Sequence, residues 1–179
     1  MCNEVFSIYL QYILLLRGVF SVNDIVNEFR ANYERGFNFL FKQIDEASPE
    51  VWKGNAGRFH YWQNIYHAFA CIDLFILSPG QDMDSGPYSQ EVVMFREIPK
   101  EVPSKDVIRE YGRKKKASAD AWLDSLSDED LVKRHEGMTS RRNEIFSNAR
   151  ALSNLIVHNF YHVGCNDTTL REKGHDGVY

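Results

Sequence analysis

Between residues 22 and 44 the apolar side chains recur in steps of three and four: Val22, Ile25, Val26, Phe29, Tyr33, Phe37, Leu40, Phe41 and Ile44. That spacing predicts an amphipathic helix over 22–46 with one buried stripe. Ser48-Pro49-Glu50 breaks it, and Gly54-Asn55-Ala56-Gly57 reads as a loop. Residues 58–78 are apolar almost all round, from Phe59, Trp62 and Ile65 to Leu74, Phe75 and Leu77. They predict a second helix, largely buried, ended by Ser78-Pro79-Gly80. A third helix is expected over 104–126, with Ser104 as N-cap and Ile108, Tyr111, Trp122 and Leu126 on one side. The last is expected to start near Thr139-Ser140 and run to Lys173, where Gly174 can cap it. Its expected core positions are Ile145, Leu152, Leu155, Ile156 and Val163. No long segment alternates with the period of a strand, so the fold class is all-α, a four-helix bundle. The connection over 79–103 is long for a compact domain. It permits the third helix to run parallel to the second.

Composition narrows the function classes. A chain of 179 residues is long enough to bury a core as one domain. With 44% hydrophobic and 26% charged residues it is not a disordered or fibrous chain. A net charge of -4 argues against a general nucleic-acid binder. Cys2, Cys71 and Cys165 are an odd, widely spaced set with no C-x-x-C pair, which reads as free thiols in the cytoplasm. The apolar run at 5–16 follows an acidic flank, lacks a basic segment before it and is shorter than the ~20 residues a membrane span needs. Neither a signal nor a membrane anchor is expected. Residues 1–20 are read as an apolar extension ahead of a domain over 21–179.

The candidate chemistry lies in histidines. His158 and His162 are four apart and project from one face of the last helix, a spacing at which two neutral imidazoles can grip one metal ion. With Leu155 at zero, His162 falls at about -20° and His158 at about -60°, on the edge of the buried arc. Imidazoles turned inward must be satisfied there, by each other, by water or by a metal. A third ligand should come from a neighbouring helix. His67 and His60 lie seven apart on the second helix, where Gln63 and Asn64 join them in a polar stripe. That stripe reads either as the solvent face or as a lining, with His67 expected to point inward and His60 to sit at the rim. Three histidine ligands leave an open coordination position, which suits a catalytic or substrate-binding metal. His135 and His175 have nothing to recommend them as ligands.

The segment Trp62-Gln63-Asn64-Ile65-Tyr66-His67-Ala68-Phe69, followed by Asp73-Leu74-Phe75, resembles the second helix of the DinB-like (YfiT-related) superfamily. His158-Asn159-Phe160-Tyr161-His162-Val163-Gly164, then Leu170-Arg171, looks like that family's fourth-helix signature. The resemblance covers about residues 22–174. It implies a bundle of up-down-down-up topology and a divalent ion, zinc or nickel, held by His67, His158 and His162. Some relatives transfer low-molecular-weight thiols such as bacillithiol. Asn166 and Asp167 stand where relatives often carry Gln-Leu-Asn, a departure beside the expected pocket.

Two function classes follow. The first is a metal-dependent thiol S-transferase or hydrolase acting on a small-molecule substrate, with no general base assigned. The second is a non-catalytic module that binds metal or a small ligand. The surplus of aromatic residues and the habit of the resembling family point to a homodimer. The basic run Arg113-Lys114-Lys115-Lys116 reads first as a solvated helix face and second as an anion site. Cys165, three residues after His162, reads as an inert thiol without a ligand role.

Overall fold

The computed structural model describes residues 23–179. The extension over 1–20 therefore lies outside the described residues. The described chain is mostly helical, with one two-stranded sheet. Four helical stretches carry most of it: α1 (Asp24–Glu46), α3 (Tyr61–Ala70) continued by α4 (Ile72–Ile76), α6 (Lys105–Asp124) and α9 (Asn148–Glu172). Short helices fill the connections: α2 (Pro49–Lys53), α5 (Gln90–Val93), α7 (Asp128–Leu131) and α8 (Glu136–Arg142). No helix among the described residues is long and apolar enough to cross a membrane.

Serine starts most of these helices. Ser48, Ser89, Ser104, Ser127 and Ser147 each accept a hydrogen bond from the backbone N–H three residues on, which satisfies a donor the helix cannot use. Ser127 and Asp130 complete a reciprocal capping box.

Two boundaries differ from the sequence expectation. The second long helix begins at Tyr61, because Phe59–His60 pairs with Asn55–Ala56 across a turn that Gly57 makes at φ 68. The last helix begins at Asn148 rather than near Thr139-Ser140. Asn143 adopts left-handed backbone, φ 51, and ends α8 there. The chain then turns back: His135 N–H donates to the Phe146 carbonyl at 2.8 Å and Asn148 N–H to the Lys133 carbonyl at 2.9 Å. Ile145, expected in the core, consequently sits in this loop and is exposed.

The core is aromatic. Tyr33, Phe37, Tyr61, Trp62, Tyr66 and Phe69 have no exposed surface, and the Phe37 ring lies 4.8 Å from Tyr33 and 5.7 Å from Phe69, centroid to centroid. Contacts between the long helices are specific. Along α1 and α6, Arg30 pairs with Asp124, Tyr33 donates to the Lys116 carbonyl, and Asp45 pairs with Arg109. Along α1 and α9, Gly36 faces Phe160 and Gln43 Nε2 donates to the Val163 carbonyl at 2.7 Å. Along α3–α4 and α6, Tyr66 meets Tyr111, Phe69 meets Gly112, and Asp73 meets Lys115. His67 and Phe75 meet His162 and His158 of α9.

The basic run is fully engaged. Arg113 pairs with Glu110, Lys114 with Asp84, Lys115 with Asp73 and Lys116 with Asp120. The Lys115 and Asp73 side chains are both buried. The solvated-face reading therefore holds only for part of it, since one of its charges is a core ion pair.

Candidate metal centre

The long connection between α4 and α6 returns to cover α3. Tyr111 Oη donates to the Asp84 carbonyl at 2.5 Å, and Asp84 N–H donates to Asp73 Oδ2 at 2.9 Å. Further on, Gln63 Nε2 donates to the carbonyls of Val92 and Glu97, both at 2.9 Å. This is why Gln63 is buried; Asn64, also buried, turns to the Ala56 carbonyl instead. The polar stripe of the second helix is thus a lining and not the solvent face.

The same connection orients His67. Its Nδ1 lies 2.7 Å from the Val93 carbonyl oxygen, which can only accept, so Nδ1 carries the proton and Nε2 keeps its lone pair. A carbonyl holding one ring nitrogen so that the other faces a site is the arrangement metal-binding histidines use. Phe95, also from the connection, stacks on the His67 ring with centroids 4.4 Å apart.

His67 Nε2 points at α9, where His158 Nε2 lies 3.2 Å away. The His67, His158 and His162 ring centroids are 4.6–5.2 Å from one another. The structure thus brings together the three histidines singled out in the sequence. His60 is half-buried, its ring 6.2 Å from that of Trp62. His135 caps α8 by accepting from Met138 N–H at 3.1 Å.

Cys71, which the sequence reading left without a role, joins the cluster. Its Sγ lies 3.5 Å from His67 Nε2 and 3.6 Å from Nδ1. Among the described residues, His67, Cys71 and His158 form a group whose donor atoms all lie within 4.8 Å of one another. Its signal was available: His67-x-x-x-Cys71 has the spacing of His158-x-x-x-His162. Val93 acts through its backbone and left no signal at all. Cys165 is half-buried beside Tyr161 and outside this group.

The electrostatics favour neutral donors. Burial lowers the basicity of all three imidazoles. For His67 the Val93 carbonyl partly opposes the effect. His158 is brought down to about 4 by burial and then by His67. His162 is brought down to about 2 by burial, then by His158 and His67. The Cys71 thiol is pushed up to about 12 by burial and, secondarily, by the Asp73 carboxylate. Neutral imidazoles are the form that binds metal. His158 Nδ1 and His162 Nδ1 are buried with no hydrogen-bond partner among the described residues. An inward cluster of three uncharged imidazoles and a thiol, one of them aimed by a backbone carbonyl, fits a divalent transition metal.

A crystal structure of a DinB-like protein from Bacillus cereus ATCC 10987 superimposes on this chain with a TM-score of 0.60 at 20% identity, covering 84% of this chain and 95% of that one. The chain has the DinB-like fold. No protein-family model and no curated protein matches it.

Proposed function

We propose that this chain is a divalent-metal-binding protein whose ion is held by His67, His158 and His162. The observation that carries the reading is the meeting of these imidazoles, from two helices, around a His67 ring whose Nε2 is freed by the Val93 carbonyl. The architecture that supports it is a four-helix bundle. Contacts pairing rising numbers on α1 with falling numbers on α6, and rising with rising between α3–α4 and α6, correspond to up-down-down-up topology.

Zinc or nickel suits imidazole donors. Such an ion, when bound with a position open, supplies Lewis acidity that lowers the pKa of a water or thiol and so makes a nucleophile near neutral pH. The chain's own residues contribute orientation and dryness. Val93 fixes the His67 tautomer, Phe95 covers one ring face, and burial keeps His158 and His162 neutral. On this reading the protein is a cytoplasmic, homodimeric thiol S-transferase or hydrolase with a small-molecule substrate. A second reading, a module that holds metal without turnover, is favoured by the thiol of Cys71 inside the donor group with His67 and His158, since a thiolate added to three histidines would complete a four-donor set.

The test is elemental analysis of the full chain purified without a metal-chelating tag. About one divalent ion per chain is expected. His67→Ala and His162→Ala should each lose it while the circular-dichroism spectrum stays helical, and Cys165→Ala should keep it. Full metal content in both histidine variants would sink the assignment.

A further inference from the structure

Cys71 is the last residue of a pair. It stands four residues after His67, and its N–H closes the helical turn onto the His67 carbonyl at 2.9 Å. Its side chain therefore leaves the helix on the same side as His67. Across from it, His158 and His162 form the second such pair on α9. Two i,i+4 pairs face each other, three members imidazole and one thiol.

Two of the separations match those of ligands to one ion, and all three donor atoms lie within 4.8 Å of one another. Around a tetrahedral ion with bonds of ~2.05 Å to nitrogen and ~2.3 Å to sulfur, two nitrogens stand about 3.3 Å apart and sulfur and nitrogen about 3.6 Å apart. The observed values are 3.2 Å for His67 Nε2 to His158 Nε2 and 3.5 Å for Cys71 Sγ to His67 Nε2. Because His67 Nδ1 is committed to the Val93 carbonyl, Nε2 is the nitrogen left to share an ion with the sulfur.

We infer that Cys71 is a metal ligand, its sulfur binding as thiolate to the same divalent ion as His67 and His158. This rests on the metal reading above and deepens it. The thiol proton leaves to solvent as the metal–sulfur bond forms, so one proton is released from Cys71 per ion bound. The sulfur makes the donor set soft, which favours zinc, cobalt or nickel and disfavours magnesium, calcium and manganese. With three histidines it would complete a four-donor set, filling the position that the histidines alone would leave to a substrate.

The experiment uses the full chain, stripped with chelator and titrated with cobalt(II). The wild type should develop visible ligand-field bands together with an intense near-ultraviolet sulfur-to-cobalt charge-transfer band. Cys71→Ser should keep ligand-field bands and lose the charge-transfer band; Cys165→Ser should keep both. X-ray absorption of the zinc-loaded wild type, which needs no variant, should show one sulfur scatterer at ~2.3 Å beside nitrogens at ~2.0 Å. Cobalt bound through nitrogen alone in the wild type would overturn the role of Cys71 and leave the histidine site standing. So would a charge-transfer band that survives Cys71→Ser. Failure of the wild type to bind either metal would overturn both readings together.

Discussion

Phe95 lies against His67 with ring planes at 28° and centroids 4.4 Å apart, and it does so from a left-handed backbone, φ 58. The position is the residue after the C-cap of α5, where Phe95 N–H bonds the Val92 carbonyl and Arg96 N–H the Glu91 carbonyl. Those two bonds form the turn that glycine usually makes at a helix end. A phenylalanine there costs about 1–2 kcal/mol of backbone strain. The ring recovers it by stacking on Phe59 at 4.2 Å as well as on His67.

This relationship separates into two measurable parts. Phe95→Ala removes the ring and keeps the strain, whereas Phe95→Gly removes both. In urea unfolding, Phe95→Ala should be the less stable of the two by about 1 kcal/mol. Both should bind zinc more weakly than the wild type, because His67 loses its cover and water reaches the ring. Equal stability of the two variants would show that φ at this residue carries no strain.

The inward imidazoles make the metal-free protein sensitive to acid. An unfolded histidine titrates near ~6.5. In the folded chain His67 is lowered, His158 sits at about 4 and His162 at about 2. Below ~6.5 the unfolded state therefore binds protons that the folded state refuses. The stabilisation is complete above that pH and is lost as pH falls toward the folded values. Each such group contributes about 1.4 kcal/mol per pH unit within its window. Stripped protein should lose on the order of 2–4 kcal/mol between ~pH 7 and ~pH 5. His162→Leu should flatten that slope. A slope unchanged by the substitution would mean that His162 titrates alike in both states.

The buried ion pair offers a test of the connection over 79–103. Lys115 and Asp73 are paired in the core, and the second residue also accepts from Asp84 N–H. Removing one partner strands the other charge, so Lys115→Ala should cost about 3–5 kcal/mol. Lys115→Met combined with Asp73→Leu leaves no stranded charge and should be closer to wild type than the two single changes predict. Protease cleavage near Asp84 should rise in the single variant. A loss below ~1 kcal/mol would show that water reaches the pair.

How much of this was legible in the sequence depended on whether the determinant was periodic. Helices α1 and α6 were readable because Tyr33, Phe37 and Leu40, or Ile108 and Tyr111, mark one face. The start of the last helix was not, because 139–146 carries compatible residues while Asn143 takes a left-handed backbone and Thr139 bonds Phe146 N–H at 3.0 Å to close a turn. The pair His158 and His162 was readable from spacing alone. The burial of Gln63 was not, because what covers it is the backbone of Val92 and Glu97, remote in sequence and silent in side-chain pattern.

Two glycines should respond in opposite directions to the same change. Gly164 lies inside α9, exposed, with nothing within 4 Å of where a Cβ would stand. Glycine in a helix interior is less stable than alanine by about 0.5–1 kcal/mol, because it gives up more backbone freedom on folding. Gly164→Ala should therefore raise stability by that amount. Gly112, inside α6, has the same intrinsic propensity, but a Cβ there would overlap Cε2, Cζ and Cδ2 of Phe69. Phe69 is fully buried and stacked near Phe37, so its ring cannot swing aside without disturbing the core. Gly112→Ala should lower stability by about 1–3 kcal/mol despite the propensity gain. Phe69→Leu should relieve part of that loss when combined with it, which a double-mutant cycle in urea would read as a favourable coupling. If the two alanine variants shifted in the same direction, the close approach of α6 to α3 at Gly112 would be wrong, and with it the packing that carries His67 toward α9.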